Sequence, residues 1–438
     1  MPLYRDPADS NLYEVIKVQT CSGRPLEVTT SSGSTVYTQP AGVAGDAFGR
    51  ARISEPFTLF DSSHRYSVNG NWNTSGAVSG VATFNADQGL VDLTVGTASG
   101  SKVYRETNKV FPYQPGKSLL IMTTFVLASG ETNRRQRVGY FGSGNGIYFQ
   151  LSGNTLSFVE RSSVSGSVAE TIVSQNSWNV DKLDGTGKSG ITLDKTKAQI
   201  FWMDVEWLGV GTVRTGFVIN GQFIHCHSFD HANIFNSTYI TTACLPVRYE
   251  VENLGATTAS GTMKEICATV VSEGGYEVRG QSGTAGTLIT SAYTFAASGV
   301  NYPMISVRLK TSPDRLDAVV IPNALSFIGQ GNNALFNWKV VTGGTTSGGT
   351  WTTTTSGSSV DYNISGTSIS GGTVLAQGFV SANTQGQNAL ELSTKDFFKY
   401  QLQRNSFTST PTELTFVVAS KVNGDTGFAA LDWEEVTT

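Results

Sequence analysis

The sequence predicts an all-β protein: an extended N-terminal arm, a central antiparallel sandwich and a second β-sandwich at the C-terminus. Three observations carry this. Glycine stands at 48 of 438 residues against 12 prolines and 15% charged residues, a composition that suits many short strands joined by tight turns. Runs of β-branched and aromatic residues recur from about residue 59 onward with Gly, Asn or Ser between them, which is the pattern of successive strands. Heptads and repeats of fixed period are not legible, so neither a coiled-coil shaft nor a solenoid is indicated.

Residues 1–58 alternate short apolar runs with turn clusters such as Ser31–Ser34 and Pro40–Asp46. No pattern there can close a core, and an arm of this kind gains order by lying on another domain or subunit. Residues 59–275 form the central domain. Ser118–Ser129, Arg137–Ser143, Gly146–Gly153 and Thr155–Ser163 read as a meander, continued by Ala198–Gly211, Val213–Ile219 and Gln222–Phe229. Asn220-Gly221 between the last two supplies the positive φ angles of a two-residue hairpin turn. With Thr241–Asn253 and Thr262–Glu273 the block holds about ten strands, enough for two stacked sheets. Gly274-Gly275 marks a junction, and residues 276–438 form the second sandwich. Its stretch 343–372 has almost no charge, but the alternation of Trp351, Val360, Tyr362 and Ile364 predicts polar-faced hairpins. One short helix is predicted at Ser393–Arg404, with Ser393 as cap and Asp396 in the first turn.

The formal net charge of -4 provides no basic field for a phosphate backbone, which argues against nucleic acid as a partner. The first residues lack a charged and then apolar leader pattern, and no run of about 18 apolar residues occurs. The expectation is a chain made in a cytoplasm, with no membrane partner. Cys21, Cys226, Cys244 and Cys267 form no CxxC pair, so reduced thiols without a metal ribbon are expected. No cofactor motif stands out.

His225, His227 and His231 hold three of the four histidines. On a strand, His225 and His227 project to one face about 7 Å apart, and a turn can return His231 toward them. A half-buried strand end with polar tips gives the same text, and that reading is preferred to a metal site. Asp204 and Glu206, two apart, present two carboxylates to one face, the raw material of glycoside hydrolysis. The segment resembles part of the ExDxxE strand of laminarinase-like glucanases, but Trp202 and Trp207 stand where that motif has glutamates, so no catalytic residue is assigned. A solvent-facing polar stripe opposite Trp202 and Val205 is expected instead. Gly185–Ser189 lacks the first glycine of a phosphate loop, Lys182 standing there. Asn363-Ile364-Ser365 fits a glycosylation sequon by chance. Trp351, Tyr362 and Trp433 lie in polar surroundings where a flat ring can stack on a sugar or anchor a subunit interface.

Two stretches resemble a known family. Residues 46–61, DAFGRARISEPFTLFD, are similar to an N-terminal stretch of virion structural proteins of tailed bacteriophages, notably the T4-like myoviruses of marine cyanobacteria. The run from Val110 through Gly146, Ser177–Asp194 and Phe217–His231 to Asn253 resembles the central domain of the same proteins. The resemblance implies a non-enzymatic particle component with a concanavalin- or lectin-like jelly roll, assembled in the host cytoplasm and carried on the virion as a head decoration, collar, tail or fibre-associated subunit. Its partners would be other virion proteins and further copies of itself. In that setting residues 46–61 dock, with Arg50, Arg52 and Glu55 supplying polar pairing and Phe48, Phe57, Leu59 and Phe60 supplying buried area. The alternative is a module that binds host-surface glycan; a polysaccharide-cleaving enzyme ranks behind it.

Overall fold

The computed structural model describes residues 54–275, 280–331, 334–383 and 401–437. Elsewhere it describes short strands alone, such as the hairpins Leu3–Arg5 with Leu12–Glu14 and Leu26–Thr29 with Thr35–Thr38. Phe48, Arg50, Arg52 and most of the helix predicted at Ser393–Arg404 lie outside the described residues. Gln401–Arg404, the part of that segment that is described, is not helical. Among the described residues the only helical turn is the 3-10 turn Gln175–Ser177.

The chain is all-β, and its central part is an antiparallel jelly-roll sandwich of two sheets. The eight-stranded sheet runs in the order Gln222–Phe229, Val213–Ile219, Gln199–Val205, Leu119–Val126, Gly261–Ser272, Leu90–Val95, Val81–Asn85, with Phe57–Ser63 also paired to Gly261–Ser272. The seven-stranded sheet runs Ala169–Ser174, Thr155–Ser162, Gly146–Ser152, Arg134–Phe141, Val247–Asn253, Lys102–Thr107, Trp72–Ala77. Period-two alternation builds the space between them: Leu119, Ile121 and Phe125 point inward, as do Phe201, Met203 and Val205, and from the other sheet Ile147, Phe149 and Leu151. Aromatic rings interlock at its centre. Phe149 meets Phe217 edge-on at 5.1 Å, and Phe158 stacks on Trp178 at 4.3 Å. Burying each such ring stabilises the fold by roughly 1.5–3 kcal/mol. The Asn220-Gly221 turn is present as the sequence indicates, with φ of 53° and 75° joining Ile219 to its partner Gln222.

One docking assignment is corrected. Phe57, Leu59 and Phe60 lie in the Phe57–Ser63 strand, paired with Gly261–Ser272. Phe60 is buried in the sandwich core against Phe111 at 5.2 Å and Trp72 at 5.9 Å, and Leu59 packs on the same core. A local apolar run looks the same whether it is a sticky arm or a strand whose partner lies about two hundred residues downstream.

The second sandwich has a five-stranded sheet built on Thr426–Thr437 and Val319–Gln330, and a seven-stranded sheet built on Tyr302–Leu309, Leu414–Ser420, Ala334–Ser347 and Ser368–Asn383. The low-charge stretch 343–372 forms hairpin strands, as its alternation implies: Ala334–Ser347 pairs with Ser368–Asn383, and Thr352–Thr353 with Val360–Asn363. Phe295, Phe327, Phe336, Phe416 and Trp433 fill its core.

The two sandwiches belong to one compact unit, joined through the segment after residue 400. Arg404 Nε donates to Asp317 Oδ1 at 2.8 Å, Thr242 Oγ1 of the central sandwich donates to Asp317 Oδ2 at 2.6 Å, and Arg404 Nη2 reaches the Cys244 carbonyl at 3.3 Å. Ser406 Oγ donates to the Thr107 carbonyl at 2.7 Å, and the Phe407 ring packs on Tyr104 at 5.3 Å.

Because Phe60 is a core residue, Phe60→Ala should lower the unfolding free energy by about 3–5 kcal/mol in a urea titration. Glu55→Ala, at an exposed position, should change it by less than about 0.5 kcal/mol.

Candidate functional site

The Gln199–Val205 strand turns Phe201, Met203 and Val205 into the core, so Trp202 and Asp204 share its outer face. Trp202 is therefore beside Asp204 and not opposite it, contrary to the sequence reading. Both side chains are almost wholly buried on that face, at 6% and 3% exposure. Gly216, the cross-strand partner of Trp202, leaves room for the indole: a Cβ there would stand 3.0 Å from its Nε1. Asp204 pairs across the strands with the Arg214 guanidinium. Trp202 Nε1 and Asp204 Oδ1 are left without a hydrogen-bond partner among the described residues. Glu206 lies past the strand end, exposed, in a turn closed by its own N–H on the Thr212 carbonyl at 3.2 Å. The two carboxylates are thus not a matched pair on one face, and the acid-base arrangement that glycoside hydrolysis needs is not formed by them.

The three histidines are also separated, by a β-bulge that period-two reasoning does not foresee. Gly216 pairs with His225 and Thr215 with His227, so Cys226 is the extra residue; its side chain is buried in the core and burial pushes its thiol far up. His225 stays near Trp202, its ring 6.0 Å away, with Nε2 3.0 Å from Ser228 Oγ. His227 turns to Phe158 and Phe229, and its Nδ1 accepts the Asn179 N–H at 3.3 Å. Burial, aided by the nearby His225, pushes His227 down to about 4. His231 stacks on Tyr239 at 4.0 Å. Its Nδ1 lies 2.6 Å from the Gly211 carbonyl and its Nε2 2.7 Å from Glu160 Oε2. Two acceptors require both nitrogens to carry protons, so this is an imidazolium; its pKa is raised because Glu160 and the carbonyl outweigh burial. Among the described residues no three His, Cys, Asp or Glu side chains form a metal-binding group.

One dense polar surface was not singled out by the sequence reading. On the outer face of the seven-stranded sheet, Arg248 bridges Glu106 at 3.0 Å and Glu250 at 2.9 Å. Arg137 binds Glu250 and reaches Glu252 at 3.1 Å, Arg135 reaches Glu252 at 2.8 Å, and Lys102 stands 3.3 Å from both acids. Arg161 and the Tyr148 hydroxyl both hold Glu170, at 2.5 and 2.7 Å. The guanidinium of Arg248 lies 3.8 Å over the Tyr104 ring, and Arg137 and Arg161 lie over a small apolar cluster of Phe141, Tyr148 and Val159. Burial would raise Glu250, but Arg248, Arg137 and Lys102 together hold it well below the ordinary carboxylate range. Burial wins at Glu106, which is raised despite Arg248. Cross-strand pairs of opposite charge fix the register of these strands. The signal was present in the alternation Arg248, Glu250, Glu252 and Lys102, Tyr104, Glu106; what it lacked was the pairing that brings the strands together.

The three aromatic candidates part company. Trp433 is 1% exposed in the second core, with Nε1 donating to Glu435 Oε1 at 3.0 Å, so it is a core anchor and not a sugar platform. Tyr362 packs half-buried on that core. Trp351 is half-buried with the Arg308 guanidinium 3.9 Å over its ring, which occupies one face by a cation–π contact.

No family model matches the chain, and no curated protein does. Solved structures match about half of it. A GH16 protein from the Bacteroides ovatus mixed-linkage glucan locus, in complex with a G4G4G3G product, is 10% identical at a TM-score of 0.35, covering 48% of this chain and 99% of that one. The Emp47p carbohydrate recognition domain is 12% identical at 0.30, covering 52% and 99%. The CBM2 module of the evolved Dit of Lactobacillus casei BL23 phage J-1 is 5% identical at 0.32, covering 52% and 100%. These are likenesses of the sandwich fold.

The histidine geometry sets opposing pH effects. The raised pKa of His231 contributes stability that is complete below its unfolded value of about 6.5 and is lost as pH rises through the folded value. The lowered His227 acts the other way, costing stability as pH falls from about 6.5 toward 4. In urea titrations from pH 6 to 9, the stability advantage of the native chain over His231→Gln should shrink as pH rises, because His227 and the likewise lowered His225 act equally in both chains.

Proposed function

We propose that the chain is a non-enzymatic structural component of a tailed-phage particle, docking through its N-terminal residues and displaying two β-sandwiches. The observation that supports this reading best is the joint: Asp317, held at once by Thr242 of one sandwich and Arg404 of the other, with Ser406 and Phe407 seated on the Lys102–Thr107 strand. Two rigid cores pinned at several points make a body that transmits force and holds its outer faces in a set orientation. The cross-linked charges on the seven-stranded face serve the same end, since each acid there is held by a cation and fixes the strands to one another. The resemblance of residues 46–61 to the N-terminal stretch of virion proteins assigns docking to that end. Because Phe57, Leu59 and Phe60 are taken up in the sandwich, the docking contacts fall to Phe48, Arg50, Arg52 and Glu55. Other virion proteins and further copies of the chain are the partners of this reading.

Mass spectrometry of separated heads and tails should find the full chain in one fraction, and a chain lacking residues 1–54 should be missing from particles while keeping its urea midpoint. Absence of the full chain from both fractions would overturn the proposal. Arg404→Ala should leave each sandwich folded but speed limited proteolysis within residues 401–412, read by peptide mapping.

A further inference from the structure

Beside the joint that locks the sandwiches together lies an open cleft of about 580 Å³, within the size range of small-molecule sites. One wall is apolar and aromatic. Pro112, Tyr113 and Trp207 come from the central sandwich, with Tyr113 and Trp207 rings edge-to-face at 6.3 Å. The indole Nε1 is anchored on the Ile240 carbonyl at 3.3 Å, which fixes the ring while leaving Trp207 half-buried. The opposite wall is polar and comes from the second sandwich: Asp314, Arg315, Asp317 and Arg404.

The polar wall is divided in its duties. Asp317 and Arg404 are spent on each other and on Thr242. Asp314 is exposed; its Oδ1 accepts the Leu316 N–H at 3.0 Å, and its charge also acts on the nearby Arg404. Arg315 is half-buried, and its guanidinium has no hydrogen-bond or ion-pair partner among the described residues. Its nitrogens are not among the buried unpartnered atoms, so they face solvent in the cleft and are free to donate to a ligand that enters it. The remaining chemistry is therefore an acceptor-only carboxylate beside a donor-only guanidinium, facing an aromatic wall.

We propose that this cleft binds a neutral oligosaccharide. A sugar hydroxyl both donates and accepts, so vicinal hydroxyls match the Asp314 and Arg315 pair, while the C–H face of a pyranose packs on Trp207. The two acids and two bases of the lining cancel, which leaves no field to favour an ionised ligand over a neutral one. The site goes beyond the display role and does not rest on it, since the cleft exists wherever the chain is placed.

A printed array of neutral and acidic glycans, probed with the full chain and followed by calorimetry on the bound glycans, tests this. Neutral oligosaccharides should bind, and Arg315→Ala should weaken them at least tenfold with an unchanged melting temperature, because that side chain holds nothing else in place. Trp207→Leu should weaken binding likewise, with some loss of melting temperature because the indole also packs on the core and holds the Ile240 carbonyl; if it unfolds the chain, Asp314→Asn takes its place as the second variant. Trp351→Ala, at a ring that does not line the cleft, should bind as the native chain does. Absence of any neutral glycan, binding confined to acidic glycans, or loss in Trp351→Ala with Arg315→Ala unaffected would each overturn the proposal. Particle incorporation of Arg315→Ala, scored separately, distinguishes failure of the cleft from failure of the display role.

Discussion

Every feature of the central sandwich depends on the aromatic packing between its two sheets. Phe149 and Phe158 from one sheet meet Phe201 and Phe217 from the other, and these contacts set which side of each strand faces out. Sheets about 10 Å apart cannot tolerate a one-residue slip, because a slip would exchange the inner and outer sets of a whole strand. Once Phe201 points inward, Trp202 and Asp204 must share the outer face. Once Tyr249 and Val251 point inward, Arg248, Glu250 and Glu252 must line the other.

The polar chemistry of the molecule follows from that constraint. On the seven-stranded face, charges forced outward at every second position meet opposite charges on neighbouring strands, as Arg137 meets Glu250 and Arg248 meets Glu106, and bury one another. Such a lattice stabilises weakly in net terms, since desolvation offsets most of the attraction, but breaking one member leaves a stranded charge and costs far more. It therefore acts mainly on specificity of register. On the eight-stranded face the compensation is incomplete, and Trp202 Nε1 and Asp204 Oδ1 remain without partners among the described residues.

The joint applies the same logic between sandwiches. Asp317 accepts from both bodies, and the segment carrying Arg404, Ser406 and Phe407 crosses from the second sandwich to the first. Few polar groups thus hold the two cores together, which leaves an open cleft beside them where a more extensive apolar interface would have closed it. The one lining cation that the joint does not use, Arg315, is what gives that cleft a chemical character of its own.

Alternating apolar residues, turn chemistry at Asn220-Gly221 and low charge were enough to read the all-β class from the sequence, because strand periodicity and positive-φ turns are local properties. The polar hairpins of 343–372 were legible for the same reason. Trp433 and Phe60 were misplaced because burial depends on partners distant in the chain: Pro322 on a neighbouring strand for the tryptophan, and Val270 opposite the phenylalanine. The histidine cluster failed as a site through one extra residue, Cys226, whose bulge turns His225 and His227 apart. The charge lattice and the cleft were decided by tertiary structure alone, since each is assembled from strands or loops that only long-range pairing brings within hydrogen-bond distance.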